Sequence, residues 1–351
     1  MSAPPVEAAP PPVTAVETVR RARRGPRRRH LGVVVGLTAL AVAAFAVNVL
    51  LGDYTYTVPD FFRILLGEQL PVATYLLMES KLPRAVLGVL VGVSFGAGGA
   101  VFQTTLRNPL ASPDVVGVTW GASTAAVVAV VTLGLRGTPV SVAAIAGAVA
   151  VAVLIRAAGG SVGSHRIVLV GVAVTAALAS FIQYLLSRAA IWDVQVALQW
   201  LAGSLHASDW STVRAVAIAT AVLLPLLALL ARGLRITQLG NDLATGLGAR
   251  RHTPDLLLLV AVLLVAVAVA ASGPIAFVAF MAGPTARALN GGRPTITGAA
   301  LVGVVLVLSA DFVGHYLIGD VTVPVGVLTG ACGAPFMLWL LTRGTSSRSA
   351  S

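Results

Sequence analysis

Few side chains in this sequence could do chemistry, and their types narrow what it could be. Asp311 and His315 stand i, i+4 in an otherwise apolar run, a spacing that sets a carboxylate and an imidazole on one helix face. Inside a membrane such a pair suits a proton relay, because an ionisable group there is costly and usually has a function. The plainer reading is an Asp–His pair near the outer end of a span, reached by water and headgroups. A relay would need further ionisable groups at mid-membrane, and the other apolar runs offer almost none. Cys332 is the single cysteine; it has neither a disulfide partner nor metal-ligand spacing and reads as a small packing residue. The only lysine, Lys81 in MESKLPR, lacks the glycines of a phosphate-binding loop, whose lysine must reach the β and γ phosphates. ATP hydrolysis by that route is excluded for this chain.

A second kind of chemistry is non-covalent. ITQLGNDLATGLGARRHTPD, residues 236–255, separates two long oily runs. Leu239, Leu243 and Leu247 recur at i, i+4, i+8 with Ala244 beside them, which makes one apolar stripe on a short helix. Asn241 and Asp242 can cap that helix, Gly240 precedes it and Gly248 can end it. A solvated connector has no reason to hold three leucines on one face, so the segment reads as a handle for a cytosolic partner.

The elements that position these residues are membrane spans. Hydrophobic residues make up 57% of the 351 and charged residues 11%, and the apolar residues come in blocks of about twenty, the length that crosses hydrocarbon as a helix. An all-α, polytopic membrane bundle of about ten spans is expected, at 31–52, 85–105, 115–134, 138–155, 167–187, 212–231, 256–272, 274–288, 296–317 and 324–342. The eighth, broken by Gly and Pro, is expected to be a partial or interrupted span. An even count puts both termini on one side. With the N-terminus inside, 18 of the 24 basic residues are cytoplasmic and 6 external, the asymmetry of the positive-inside rule. The run RRARRGPRRRH is then an orientation signal and not a nucleic-acid site. Residues 1–30 read as a disordered Pro/Ala-rich and then Arg-rich tail, 31–343 as the membrane domain and 344–351 as a short cytoplasmic tail; the first span reads as an uncleaved anchor.

Small residues stripe two spans. Gly88, Gly92 and Gly96 repeat every four positions, and Gly326 with Gly330 repeats the pattern in the last span. Such faces let helix backbones come close, whether for packing or along a pathway. At 103–114, Gln103 leads into Arg107, Asn108, Pro109, Pro113 and Asp114, a rigid cytoplasmic turn in which proline ends one helix and Asp114 caps the next.

The wording of these stretches is itself informative. LPR at 82–84, the glycine ladder, Gln103, RNPLA, WLAGSL at 200–205, LGNDLATGLG at 239–248, GPIAFVAFMAG at 273–283 and PVGVLTGACGAPFMLWLL at 324–341 occur in that order. Together they closely resemble the FecCD family, permease subunits of ABC importers for iron-siderophore, haem and cobalamin. The resemblance implies a substrate path for a ferric siderophore, with haem or cobalamin as alternatives, in the bacterial plasma (inner) membrane. It implies a second permease chain, identical or related, two ATPase subunits that carry ATP and Mg, and an external substrate-binding lipoprotein; no cofactor or metal on this chain and no nucleic acid are expected. Leu239, Gly240, Asp242, Leu243, Ala244, Leu247 and Gly248 would couple to the ATPase, and Arg84 and His315 would meet acidic residues of the binding protein. The chain departs from the family pattern at Gly283, Pro284 and Thr285, where a Pro-His pair is usual, at Thr322 in place of Glu, and at His315 in place of Arg. The rival class is a proton-driven secondary transporter.

Overall fold

The computed structural model describes residues 15–52, 54–160, 165–206, 208–237, 252–318 and 321–346. Among these, all regular structure is helical: α1 (Ala15–Leu50), α2 (Val58–Leu65), α3 (Pro71–Tyr75), a π-type turn (Leu76–Lys81) leading directly into α4 (Leu82–Thr105), α5 (Pro113–Val116), α6 (Val118–Val131), α7 (Thr138–Gly159), α8 (His165–Arg188), α9 (Ile191–Leu201), α10 (Trp210–Thr237), α11 (Thr253–Ser272), α12 (Val278–Leu289), α13 (Ile296–Tyr316) and α14 (Val325–Ser346). Among the described residues, seven stretches are long and apolar enough to cross a membrane: Arg24–Leu50, Val72–Thr105, Thr138–Gly159, Arg166–Arg188, Trp210–Ala231, Thr253–Ser272 and Ile296–Tyr316. Val118–Val131 and Val325–Leu340 are shorter apolar helices, and α12 has only 12 residues.

The differences from the sequence reading have local causes. α1 begins at Ala15 and not at 31, so the arginine-rich run is helical and not a disordered tail; alanine, glutamate and arginine are strong helix formers, and the helix accommodates even Pro26. At 36 residues it extends roughly 54 Å, well beyond hydrocarbon thickness. α2, α3 and α9 are too short to show in a search for spans. The hydroxyl of Thr57 starts α2 by accepting from the Asp60 amide at 3.3 Å. α6 starts at Val118 because Gly117, at φ +97°, separates it from α5.

α4 is the most enclosed of the long helices and lies against α13, α11, α12 and α10. Its glycines set the spacing. A Cβ on Gly92 would fall 2.6 Å from the Val304 Cα, one on Gly88 would strike the Leu308 side chain at 2.8 Å, and one on Gly96 would meet the Ala299 carbonyl. The ladder face of α4 is therefore filled by α13 of the same chain. On another face, Gly99 meets the Ala279 backbone and Gly98 meets Val265. In α14 the two glycines differ: Gly326 is jammed against the Ala202 carbonyl, whereas a Cβ on Gly330 would sit 3.9 Å from its nearest neighbour.

That contrast is testable. Gly96→Val should lower stability by about 1–3 kcal/mol or more through forced separation of α4 and α13, whereas Gly330→Ala should be close to neutral. Thermal unfolding of both variants in detergent checks this; equal midpoints would show that the α4–α13 contact does not limit stability.

Candidate functional site

The most unusual backbone lies between α11 and α12. Helix geometry stops at Ser272, resumes at Val278, and leaves Gly273–Phe277 outside regular structure within the bundle. In hydrocarbon such an interruption survives only where protein satisfies its polar groups. Here the Ser204 amide and the Ser272 hydroxyl supply donors, the latter to the Gly273 carbonyl at 3.0 Å. The Ser204 amide donates to the Ser272 carbonyl at 2.7 Å, and the Gly326 amide at the start of α14 donates to the Gly203 carbonyl at 3.1 Å. The three chains come this close because Gly203, Gly273 and Gly326 lack side chains: a Cβ on each would collide with the carbonyl of Pro274, Trp200 or Ala202 respectively. WLAGSL, GPIAFVAFMAG and PVGVLTG, far apart in sequence, thus form one backbone junction.

Phe277 closes the interruption in a left-handed conformation, φ +64°, rare for a non-glycine residue. Its ring packs edge-on to Phe280 at 6.0 Å, and Phe280 stacks in the same manner on Phe336 of α14 at 6.3 Å. Gly333 of α14 leaves the room Phe277 needs. One turn on, Pro284 has no N–H to give the Phe280 carbonyl four residues earlier, so that buried acceptor would be orphaned. Gln103 of α4 supplies the missing donor: its Nε2 reaches the Phe280 oxygen at 3.0 Å, and Gly283 leaves space for its amide.

The turn after α4 approaches the same junction. Arg107 takes a left-handed conformation, φ 53°, the Asn108 side chain accepts from the Leu110 amide at 2.9 Å, and Pro109 follows. The Ser112 hydroxyl caps α5 by accepting from Val115 at 3.2 Å. Asp114 is half-buried; the Thr119 hydroxyl donates to it at 2.6 Å. Burial pushes its carboxyl up to about 6, against opposing hydrogen bonds from the Thr119 hydroxyl and the Phe277 backbone. Asp114 sits where the α5–α6 turn packs beside the broken helix, which its place in a polar turn does not reveal.

At the opposite end of α4 lies a charged cluster. Arg84 grips Asp311 in a two-pronged pair, Nη2 to Oδ1 at 2.8 Å and Nε to Oδ2 at 2.9 Å, with side chains 15% and 3% exposed. Lys81 donates to the carbonyls of Leu51 and Tyr54, each at 2.7 Å, and lies over the rings of Tyr56 and Tyr316. The His315 ring packs on His206 at 4.8 Å and on Tyr316 at 4.4 Å. Burial and the Arg84 cation hold His206 below the usual histidine value, partly offset by Asp311. A small polar cavity of about 70 Å³ opens among Asn48, Tyr54, Ser80, Lys81, Arg84 and His315.

The residues singled out from sequence thus fall in separate places. Arg84 and His315 share the charged end, but Arg84 is committed to Asp311, the residue that the sequence pairs with His315. A carboxylate locked in a bidentate guanidinium pair is poorly suited to relay protons. Gly88, Gly92 and Gly96 meet α13, Gln103 meets α12, Arg107, Asn108 and Pro109 form the turn, and Gly326 belongs to the junction. The proposed coupling residues Leu239, Gly240, Asp242, Leu243, Ala244, Leu247 and Gly248 lie outside the described residues.

A bundle of apolar helices built around an interrupted one, with polar groups at its two ends and the junction, defines a polytopic transport permease. Residues 40–343 match the FecCD transport family, and the chain belongs to that family. It is 34% identical over 318 residues to the ferric enterobactin transport system permease protein FepG of Escherichia coli (strain K12), covering 90% of this chain and 96% of that one. It is 39% identical over 276 residues to the Fe(3+) dicitrate transport system permease protein FecD of the same organism, covering 77% and 86%. A solved structure described as an inward-facing conformation of a putative metal-chelate type ABC transporter superposes with a TM-score of 0.76 over 89% of this chain and 99% of that chain, at 24% identity, which establishes the fold.

Two outcomes follow from the geometry. Gln103→Met strands the Phe280 carbonyl and should cost about 1–3 kcal/mol; adding Pro284→Ala restores a backbone donor and should recover part of that loss. A double variant no more stable than Gln103→Met would refute the capping role. For Asp114, the folded value lies above the ordinary carboxylate value of about 3.9, so its favourable contribution is complete below about pH 4 and lost as pH rises through about 6. Asp114→Asn keeps an acceptor for Thr119 and should flatten the dependence of melting temperature on pH between about 4 and 7; curves parallel to wild type would assign the titration elsewhere.

Proposed function

We propose that this chain is the permease subunit of an ATP-driven ABC importer in the bacterial plasma membrane, forming the path for a ferric siderophore handed over by an external binding protein. The observation that carries the reading is similarity along nearly the full length to permeases named for ferric enterobactin and ferric dicitrate transport. The ten helices α1, α4, α6, α7, α8, α10, α11, α12, α13 and α14 would form the membrane domain, with both termini cytoplasmic. A second permease chain would complete the path. α8 offers a suitable wall: Ala173, Ala176, Ala177, Ser180 and Gln183 are exposed along it, interleaved with the larger Leu169, Val172, Phe181 and Tyr184.

In the mechanism we infer, two ATPase subunits carrying ATP and Mg close on each other, and the 239–248 segment passes their movement into α10 and α11. α11 leads straight into the junction at Gly273–Phe277, so displacement of either end must rearrange Phe277 against α14. Outside, the cluster of Lys81, Arg84 and His315 around the single carboxylate of Asp311 favours an acidic docking surface. Because Arg84 is held by Asp311, a docking carboxylate would meet the cluster's net charge more than a free arginine.

Uptake of radiolabelled ferric siderophore into proteoliposomes bearing the chain, its ATPase and its binding protein tests the reading. Wild type should require ATP and be indifferent to a protonophore; transport that survives ATP depletion and collapses with the proton gradient would favour a secondary transporter, and competition by haem or cobalamin would reassign the cargo. Leu243→Asp should insert normally yet lose ATPase co-purification and at least about tenfold in uptake, as expected from burying an unpaired charge at a contact. Normal co-purification with normal uptake would remove the coupling assignment.

A further inference from the structure

A cavity of about 370 Å³ opens at the end of the bundle where α4 and α7 finish and α6 and α11 begin. Its inner wall is apolar and buried, with Phe102, Val116, Ile155 and Val262 among its residues. Its mouth lies between Val153 of α7, 59% exposed, and Leu259 of α11, 41% exposed. Above the mouth, Arg156 and Asp255 form a bidentate pair, Nε to Oδ1 at 2.6 Å and Nη2 to Oδ2 at 3.1 Å, while Nη1 donates to the Gly160 carbonyl at 2.5 Å.

We propose that this cavity holds one acyl chain of a zwitterionic, amine-bearing phospholipid from the cytoplasmic leaflet, with the phosphate on Arg156 and the amine on Asp255. Water is a poor occupant, since an ordered water needs two to four polar partners and the inner wall offers none. Left empty, the wall would forfeit its dispersion contacts. α7 and α11 are both span-length apolar helices, so the medium at the mouth is lipid hydrocarbon, and the volume takes roughly a dozen groups the size of a water molecule or methylene. The rim matches a headgroup of both signs. A guanidinium has five N–H donors and a carboxylate about four acceptor sites; the three arginine bonds above leave two N–H groups for a phosphate, and Asp255 keeps acceptor capacity for an ammonium. An anionic lipid without an amine would satisfy only half of that rim.

The bound chain would brace the turn that reaches the broken helix. Phe102 and Leu106 end α4, and Val116 and Val118 flank Gly117 beside Asp114. The lipid would thus support the packing that carries Asp114 to Phe277. The inference rests on membrane embedding and orientation and is independent of the cargo, so its failure leaves the importer reading untouched.

The test uses the permease with its partner subunits in nanodiscs of mixed phosphatidylethanolamine and phosphatidylglycerol. A cryo-EM map of the wild type should show tubular density between α7 and α11, and native mass spectrometry should retain one phosphatidylethanolamine per permease chain. Ala152→Trp, which fills the cavity, should reduce retention to background. Leu154→Trp, on the exposed face of the same helix, should not. Arg156→Gln should abolish the preference for phosphatidylethanolamine while leaving some acyl density. Should Ala152→Trp fail to fold, the wild-type map decides: a cavity that is empty or filled by protein overturns the proposal, as does unchanged retention in a folded Ala152→Trp or equal retention of phosphatidylglycerol.

Discussion

A peptide group in hydrocarbon must find its hydrogen-bond partner within the protein, and the rest of this molecule is arranged around one place where the helix cannot supply it. The break at Gly273–Phe277 leaves backbone groups that the protein itself must satisfy, and the Ser204 amide and the Ser272 hydroxyl do so. Ser204 is drawn against it, Gly203 in turn holds the first turn of α14 through the Gly326 amide, and three glycines clear the approach. Pro284 opens a second deficit one turn later, which Gln103 fills from α4. Fold and candidate machinery share this origin: the helices brought together to satisfy the break, α4, α12 and α14, are also those whose relative movement would open or close a path beside it.

Charge is handled by the same economy. Asp311 is nearly inaccessible, and only a guanidinium approaching with two parallel donors offsets the cost of leaving it ionised there. Arg84 does this while remaining close to the mouth of the cluster. Lys81, held by two loop carbonyls and two aromatic rings, ties the start of α4 to the segment after α1. Around Asp311 the charges of Arg84 and Lys81 are thus held in place by fixed partners instead of sitting on flexible side chains.

Much of this was legible in the sequence, for physical reasons. Oily blocks of span length announce the long helices, and the Gly/Pro interruption near 273 announces a broken one. The glycine ladder announces close packing without naming α13 as its neighbour. What stayed hidden depends on tertiary partners. Nothing in the spacing of Asp311 and His315 indicates that Arg84, 227 residues away, takes the carboxylate. Asp114 reads as a solvated cap until the fold encloses it, and a left-handed Phe277 has no compositional mark. α2, α3 and α9 are short and half-exposed, so their hydrophobic signal is too weak to separate from loop. Pro284 was visible as a departure from the family pattern; its physical meaning required the position of Gln103.

The glycine contacts between α4 and α13 bear on how such a chain can change over generations. At Gly92 and Gly96 any side chain meets neighbouring backbone, which cannot rotate aside, so almost every substitution at these positions damages the scaffold at once. α8 meets neighbours on one side only and exposes a mixed face of small, polar and large side chains along the other, where exchanges cost the scaffold little. Were α8 to line the path of the assembled importer, adaptation to a chelate of different size or charge would have an open route along it and a closed one at the centre.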